Sequence, residues 1–287
     1  MTDLIQPVKS GADLAREVRD QSPVPGAIAV WWLGQSGFLF KTRDGLLVID
    51  PYLSDHLTRK YEGTDKPHER MTAIPIEPSA LGALGVDLIL SSHKHSDHMD
   101  PGTLPPLMAA APAAALGLPA SLVAHAVASL GLPADRLIGL VDGQIVERAG
   151  FRVRAVPSAH EGLDTDADGR HLYLGFVVEA QGRRFYHGGD GLMYDGLVER
   201  LGTERFDALF LPINGRDPSR GVPGNMSGAE AVVLASNVRP RWLVPHHYEM
   251  FRFNTASVSS FEDEARRDLP PGVQVRAPRC AELWEIT

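Results

Sequence analysis

The decapeptide SSHKHSDHMD at residues 91–100 places three histidines and two aspartates within ten positions. Imidazole nitrogen suits zinc, manganese, iron or nickel, and a carboxylate adds charge and a harder oxygen donor. His93 and His95 are two apart, a spacing that on extended chain points both rings to one side. Asp97 and His98 follow once the chain turns, and so approach the same region from another direction. Three later segments repeat one theme, a polar group appearing where an apolar run gives out. AVPSAHE at 155–161 carries His160, FYHGGDG at 185–191 carries Asp190 after two glycines, and WLVPHHY at 242–248 carries His246 and His247. Strand ends are where a scaffold holds ligands rigidly. Two carboxylates and more histidines than one tetrahedral ion uses would suit two ions about 3.5–4 Å apart. Such a centre lowers the pKa of water from about 15.7 toward about 7 and so supplies a nucleophile for a carbonyl or phosphoryl centre.

The run His93-Lys94-His95-Ser96-Asp97-His98 resembles the HxHxDH signature of the metallo-β-lactamase superfamily. That resemblance implies an α/β fold, a four-layer αββα sandwich with a one- or two-metal hydrolytic centre. It implies that His93, His95 and His160 hold the first ion, that Asp97, His98 and His247 hold the second, and that Asp190 bridges them. His247 is preferred to His246 because the family pattern is apolar-Pro-x-His, here Val244-Pro245-His246-His247. The catalytic carboxylates expected on this basis are Asp97, which orients the nucleophile or takes its proton, and Asp190. PGAIAVWWLGQSGFLFK at 25–41, the histidine motif, NGRDPSRGVPGNMSGAEA at 214–231 and LVPHHYEMF at 243–251 are together similar to the L-ascorbate-6-phosphate lactonase group. The chain departs from that group in a shorter C-terminal region and in the ordinary superfamily histidine at position 160. The implied function is a metal-dependent hydrolase, using zinc or manganese, that turns a metal-activated water on a small anionic ester or lactone such as a phosphorylated sugar lactone. A phosphodiesterase or phospholipase D-like hydrolase of the same fold is the nearest alternative. A non-catalytic metal-binding sensor or assembly subunit is the alternative from a different class.

Around this centre, Arg220 in PSRG is the anion-binding candidate, beside the start of a helix expected near Ser227, where backbone N–H groups favour phosphate or carboxylate. The competing role for Arg220 is a surface arginine neutralised by Asp217. Asn225 and Tyr248 are the other substrate-binding candidates, with an aromatic cleft wall as the simpler role for Tyr248. Ser227 is read as an N-cap, with Glu230 completing a capping box. His187 is a candidate to orient Asp190, while His56, His68 and His125 are read as non-catalytic and Lys94 as pointing to solvent or a local carboxylate.

The elements that must position these groups are legible as apolar runs. AIAVWWLG, GFLFKT and GLLVID, separated by glycines, suggest an antiparallel meander. Residues 52–80 read as a long polar loop, often a substrate-binding lid. VDLILS at 86–91 reads as a buried strand, followed over 103–131 by two helices around a short strand at ASLVA. Strands are expected at 137–140, 144–148, 151–157, 172–180, 183–187, 207–211 and 241–245, and helices at 195–202, 227–237 and 258–268, with two short apolar runs near the end. Near-continuous apolar strands require cover on both faces, hence two packed sheets with helices outside.

The whole chain bounds the answer. Its 287 residues, 44% hydrophobic and 22% charged, suit one hydrolase domain over 1–287 with residues 1–26 as a lead-in. A formal charge of −8 argues against a nucleic-acid partner. Cys280 is the one cysteine, so no internal disulfide forms, and a reducing cytoplasm fits. The Ala-rich run 107–132 is broken by Pro112, Gly117 and Pro119, and no run is long enough for stable membrane insertion. Neither G-x-G-x-x-G nor a P-loop nor a G-x-S-x-G elbow appears, which disfavours dinucleotides, nucleotide triphosphates and serine hydrolysis. A small anionic molecule is the expected partner, with a homo-oligomer left open.

Overall fold

The computed structural model describes residues 4–287; the first three residues of the expected lead-in lie outside that range. In chain order the strands are β1 (Ile28–Gly34), β2 (Gly37–Lys41), β3 (Leu46–Ile49), β4 (Leu88–Leu90), β5 (Ala115–Pro119), β6 (Leu137–Leu140), β7 (Ile145–Arg148), β8 (Phe151–Pro157), β9 (Leu174–Ala180), β10 (Arg183–His187), β11 (Ala208–Pro212), β12 (Trp242–His246), β13 (Gln274–Val275) and β14 (Leu283–Ile286). The helices are α1 (Gly11–Asp20), α2 (His56–Lys60), α3 (Pro78–Gly82), α4 (Leu104–Ala110), α5 (Val123–Leu130), α6 (Leu197–Leu201), α7 (Gly228–Val238) and α8 (Val258–Asp268).

The strands form two seven-stranded sheets, ordered β14-β1-β2-β3-β4-β5-β6 and β13-β12-β11-β10-β9-β8-β7. Both are mixed. In the first, β1, β2 and β3 pair antiparallel and β3 to β6 run parallel. In the second, β7 to β10 pair antiparallel and β10 to β13 run parallel. Helices flank the pair, which gives the four-layer αββα sandwich that the sequence predicts. Strands β1, β5, β11 and most of β9 are buried along their length, as expected of strands covered on both faces. Among the described residues no helix is long and apolar enough to cross a membrane.

The space between the sheets is filled by aromatic rings. Phe40 stacks on Phe185 at 4.4 Å and Phe38 meets Phe210 edge-on at 4.8 Å, offset and T-shaped arrangements that the ring quadrupole favours. Trp31 and Trp32 project to opposite sides of β1, as alternation demands. Trp31 Nε1 donates to Glu17 of α1, and Trp32 stacks on Tyr248 at 4.3 Å.

Within the lead-in, residues 11–20 form helix α1, which buries Leu14 and Val18 and leaves its charged face outside. One expectation requires correction. ASLVA is not a strand. The strand is ALGLP at 115–119, and ASL forms a 3₁₀ turn leading into α5. Pro119 sits at the strand's end, where its missing N–H costs no ladder bond, and alanine-rich chain beyond it prefers helix.

Candidate metal centre

Strand polarity gathers the site. The turn after β1, the ends of β3 and β4, and the ends of β8, β10 and β12 all emerge at one edge of the sandwich. There, His93, His95 and His160 bring one ligand atom each within 4.8 Å of one another, and Asp97, His98, Asp190 and His247 form a second such group. The His93–His98 segment is not extended as the two-residue spacing suggests. It is a tight turn in which the His98 and Met99 N–H groups both donate to the His95 carbonyl, at 2.9 and 2.7 Å. The turn, rather than strand alternation, sets the His93 and His95 rings 4.6 Å apart.

Each cluster is held from behind. Ser92 Oγ lies 3.0 Å from His93 Nδ1, while His93 Nε2 is buried without a hydrogen-bond partner. Such a buried, unpaired nitrogen is costly unless something binds it. Asp50, at the end of β3, accepts from the Ser92 N–H at 2.7 Å and lies 2.8 Å from His98 Nδ1. That leaves His98 Nε2 facing Asp190 Oδ1 at 3.1 Å. A carboxylate behind an imidazole is the arrangement that fixes a ligating ring's tautomer. His247 Nε2 lies 3.4 Å from Asp190 Oδ2 and 3.8 Å from Asp97 Oδ2.

The electrostatics fit cations. Burial, reinforced by the neighbouring rings, keeps His93 well below the ordinary range and lowers His95. Burial pushes His160 down to about 4. These three rings are therefore neutral at pH 7, the state in which imidazole ligates metal. In the second cluster burial acts against charge but loses. Asp190, Asp50 and Asp97 hold His98 well above its usual range, and His98 and His247 hold Asp190 well below its own. Without an ion, a proton on His98 offsets the carboxylates. Donor types, spacing and unpaired nitrogens thus fit two divalent ions, three imidazoles at one position and a carboxylate-rich set at the other.

The clusters floor a cleft of about 510 Å³. Its walls carry Lys60, Tyr61, Lys94, His125, Phe251 and Phe253, most of them from segments flanking the sheets. The expected 52–80 loop supplies Leu57, Lys60, Tyr61 and His68, with Tyr61 stacked on His68 at 4.1 Å.

The expected substrate residues lie elsewhere. Arg220 donates to the Asn214 carbonyl at 2.7 Å, to Asn254 Oδ1 at 3.0 Å and to the Thr255 carbonyl, so its guanidinium holds loops together instead of facing the cleft. Asp217, which accepts from the Ser219 N–H, makes no direct ion pair with it and acts on it only through space. Asn225 is buried, its amide donating to Asn214 Oδ1 at 3.0 Å. The Tyr248 hydroxyl is buried against the Pro278 carbonyl, away from the cleft. His246 lies behind the centre, stacked on His187 at 4.9 Å with Nδ1 3.1 Å from Ser36 Oγ, and His187 reaches the Ser36 carbonyl instead of Asp190. Ser227 and Glu230 do form the capping box.

Sequence reasoning missed Asp50, Gln35, Ser36 and Lys60, and set aside Lys94 and His125, which also line the cleft. Asp50 carried the same signal as the others, a polar residue closing the apolar run LLVI. Lys60 and His125 carried none, because helical surface positions give no hint of what they face.

A family model described as a Beta-lactamase superfamily domain matches residues 47–248. A protein named Probable L-ascorbate-6-phosphate lactonase from Salmonella paratyphi B is 22% identical over 269 residues, covering 84% of this chain and 75% of its own length. Igni18, a metallo hydrolase from Ignicoccus hospitalis, shares the fold with a TM-score of 0.65 at 19% identity, over 90% of this chain and 98% of its own. An isothiocyanate hydrolase from Delia radicum gut bacteria does so with a TM-score of 0.66 at 16% identity, over 89% and 98%.

Proposed function

Because the chain belongs to the metallo-β-lactamase superfamily, we propose that it hydrolyses a small anionic ester or lactone, with a phosphorylated sugar lactone as the leading substrate class. The observation that carries this reading is the pairing of two ligand clusters on the floor of one cleft whose walls bear Lys60 and Lys94. Divalent ions bound there, zinc or manganese by donor chemistry, would supply Lewis acidity and an activated water. The chain's own groups do the rest. Asp97 borders the cleft, and Gln35 Nε2 donates to its Oδ2 at 2.7 Å. Its carboxylate faces the cleft, placed to receive a proton from the attacking water. Lys60 and Lys94 draw an anionic substrate toward the centre. Tyr61, Phe251 and Phe253 offer apolar surface to a ring and restrict bulk water. The name of the Salmonella relative supports a lactone over a phosphodiester.

The test is product identification on a panel of lactones and phosphodiesters with zinc- or manganese-loaded protein. A ring-opened carboxylate is expected, and Lys94→Ala should raise KM for anionic lactones about fivefold, the ~1 kcal/mol worth of a solvent-exposed charge pair. Neutral analogues should be unaffected, and Arg220→Ala should change stability but not KM. Release of an alcohol with a phosphomonoester would instead identify a phosphodiesterase. Ion binding without turnover across the panel would leave a metal-binding protein.

A further inference from the structure

Gln35 sits in the turn between β1 and β2, fully buried and with φ of 51°. A non-glycine residue there costs about 1–2 kcal/mol unless its surroundings enforce it. Two donors do so, the Trp32 indole N–H at 2.9 Å and the His247 backbone N–H at 3.0 Å, both to the Gln35 carbonyl. His247 itself has φ of 62°. Two left-handed residues are thus tied together at one corner of the second ligand cluster.

The side chain explains why that corner is so constrained. Gln35 Nε2 lies 2.7 Å from Asp97 Oδ2 and 3.0 Å from His247 Nε2, and those two ligand atoms are 3.8 Å apart. The amide nitrogen therefore occupies the lone-pair directions of both, while Gln35 Oε1 is buried without a partner. An ion bonded to both ligand atoms at about 2.1 Å would be in contact with the amide terminus. An N–H pointed at a cation is repelled; a carbonyl oxygen is attracted. A half-turn of the carboxamide exchanges nitrogen for oxygen with almost no change in shape, and it gives the unpaired oxygen a partner.

We propose that Gln35 is a ligand of the second ion, turning its carboxamide oxygen onto the cation held by Asp97, His98, Asp190 and His247. In the ion-free protein the same group serves as a stand-in, donating N–H to the atoms that the cation takes. The proposal rests on the two-ion reading above, and it adds a neutral oxygen donor to a set otherwise made of carboxylates and imidazoles. A fifth, hard donor shifts that position toward ions that accept more than four ligands, manganese over zinc.

The experiment is equilibrium dialysis of the full chain against buffered zinc or manganese, with bound metal measured by elemental analysis. Wild type, Gln35→Ala, Gln35→Gly and Gln35→Glu are compared, and folding is checked by thermal melting. Gln35→Gly tolerates the positive φ and keeps the test informative if Gln35→Ala does not fold. Wild type should bind two ions. Gln35→Ala and Gln35→Gly should bind the second about 10–100-fold more weakly with the first unchanged, and Gln35→Glu, which keeps an oxygen, should retain both. Unchanged or tighter second-ion binding in the Ala and Gly variants overturns the proposal, tighter binding showing the amide to be only a blocker. A wild type that binds one ion, with Gln35→Ala and Gln35→Gly binding it equally well, also overturns it. A wild type that binds none overturns the two-ion reading itself.

Discussion

At the residue scale the site is a division of labour between neutral and charged donors. His93, His95 and His160 are kept neutral by burial, whereas His98 is kept protonated by Asp190, Asp50 and Asp97 against burial. The stability consequences have opposite signs. A ring whose folded pKa is about 4 against an ordinary 6.5 binds fewer protons folded than unfolded across that window, so it costs stability as pH falls from 6.5 toward 4. His93 and His95 act the same way. His98, raised, contributes stability that is complete below 6.5 and lost as pH rises through its folded pKa. With these three rings lowered, as burial also lowers His68, His187 and His246, and His98 alone raised, the melting temperature in chelator should fall between pH 6.5 and pH 4.5; a flat or rising profile there would count against this balance. Asp190 contacts both His98 and His247. Asp190→Ala should therefore cut bound metal below two ions and reduce turnover by more than the 10–100-fold typical of losing an outer partner. Elemental analysis beside initial rates would check it, and full metal content with full activity would remove Asp190 from the centre.

At the element scale, the 52–80 segment is more ordered than a polar stretch suggests. Tyr52 and Leu57 form a small apolar cluster with Met250 and Phe251, apart from the main core, and Tyr61 and Phe253 pack against it. Arg70 fastens it. The buried guanidinium donates to the Tyr52, Ser54 and Thr72 carbonyls at 3.1 to 3.2 Å and lies 4.8 Å from the Tyr52 ring centroid. Removing it strands three carbonyls, each bond to a charged donor being worth about 1.5–3 kcal/mol. Arg70→Ala should therefore destabilise the protein by at least about 3 kcal/mol in denaturant melts and loosen the cleft wall, raising KM. A loss under 1 kcal/mol would mean that the cluster holds the segment without it. The segment's order was hidden in sequence because its partners, residues 248–253, lie almost two hundred positions away.

At the scale of the whole molecule, one hydrophobic core runs through both sheets, and the chain's end closes its beginning. β14 pairs antiparallel with β1, from Ile28 with Ile286 to Trp31 with Leu283. Truncation after Glu282 would bare the edge of a fully buried strand, an invitation to aggregation. At about 1 kcal/mol per lost hydrogen bond and roughly 2–4 °C per kcal/mol, the melting temperature should drop by about 10 °C; an unchanged value would mean that β14 is dispensable. The sequence alone determined most of the strands, the one placed at ASLVA excepted, since continuous apolar runs admit few other readings, and the identity of the polar groups that close them, since His, Asp and Gly at strand ends are local chemistry. It also carried the capping box of α7 and the opposed faces of the two tryptophans. Only tertiary structure decided which polar side chains meet. Arg220 and Tyr248 look available in sequence but are consumed by acceptors that the fold brings to them, Asn214, Asn254 and Thr255 for the first and Pro278 for the second. Gln35 and Lys60 look ordinary until the fold turns them toward the clusters. A residue's type is written where it stands, but its partner is set by how the two sheets pack, and function at this centre depends on the partners.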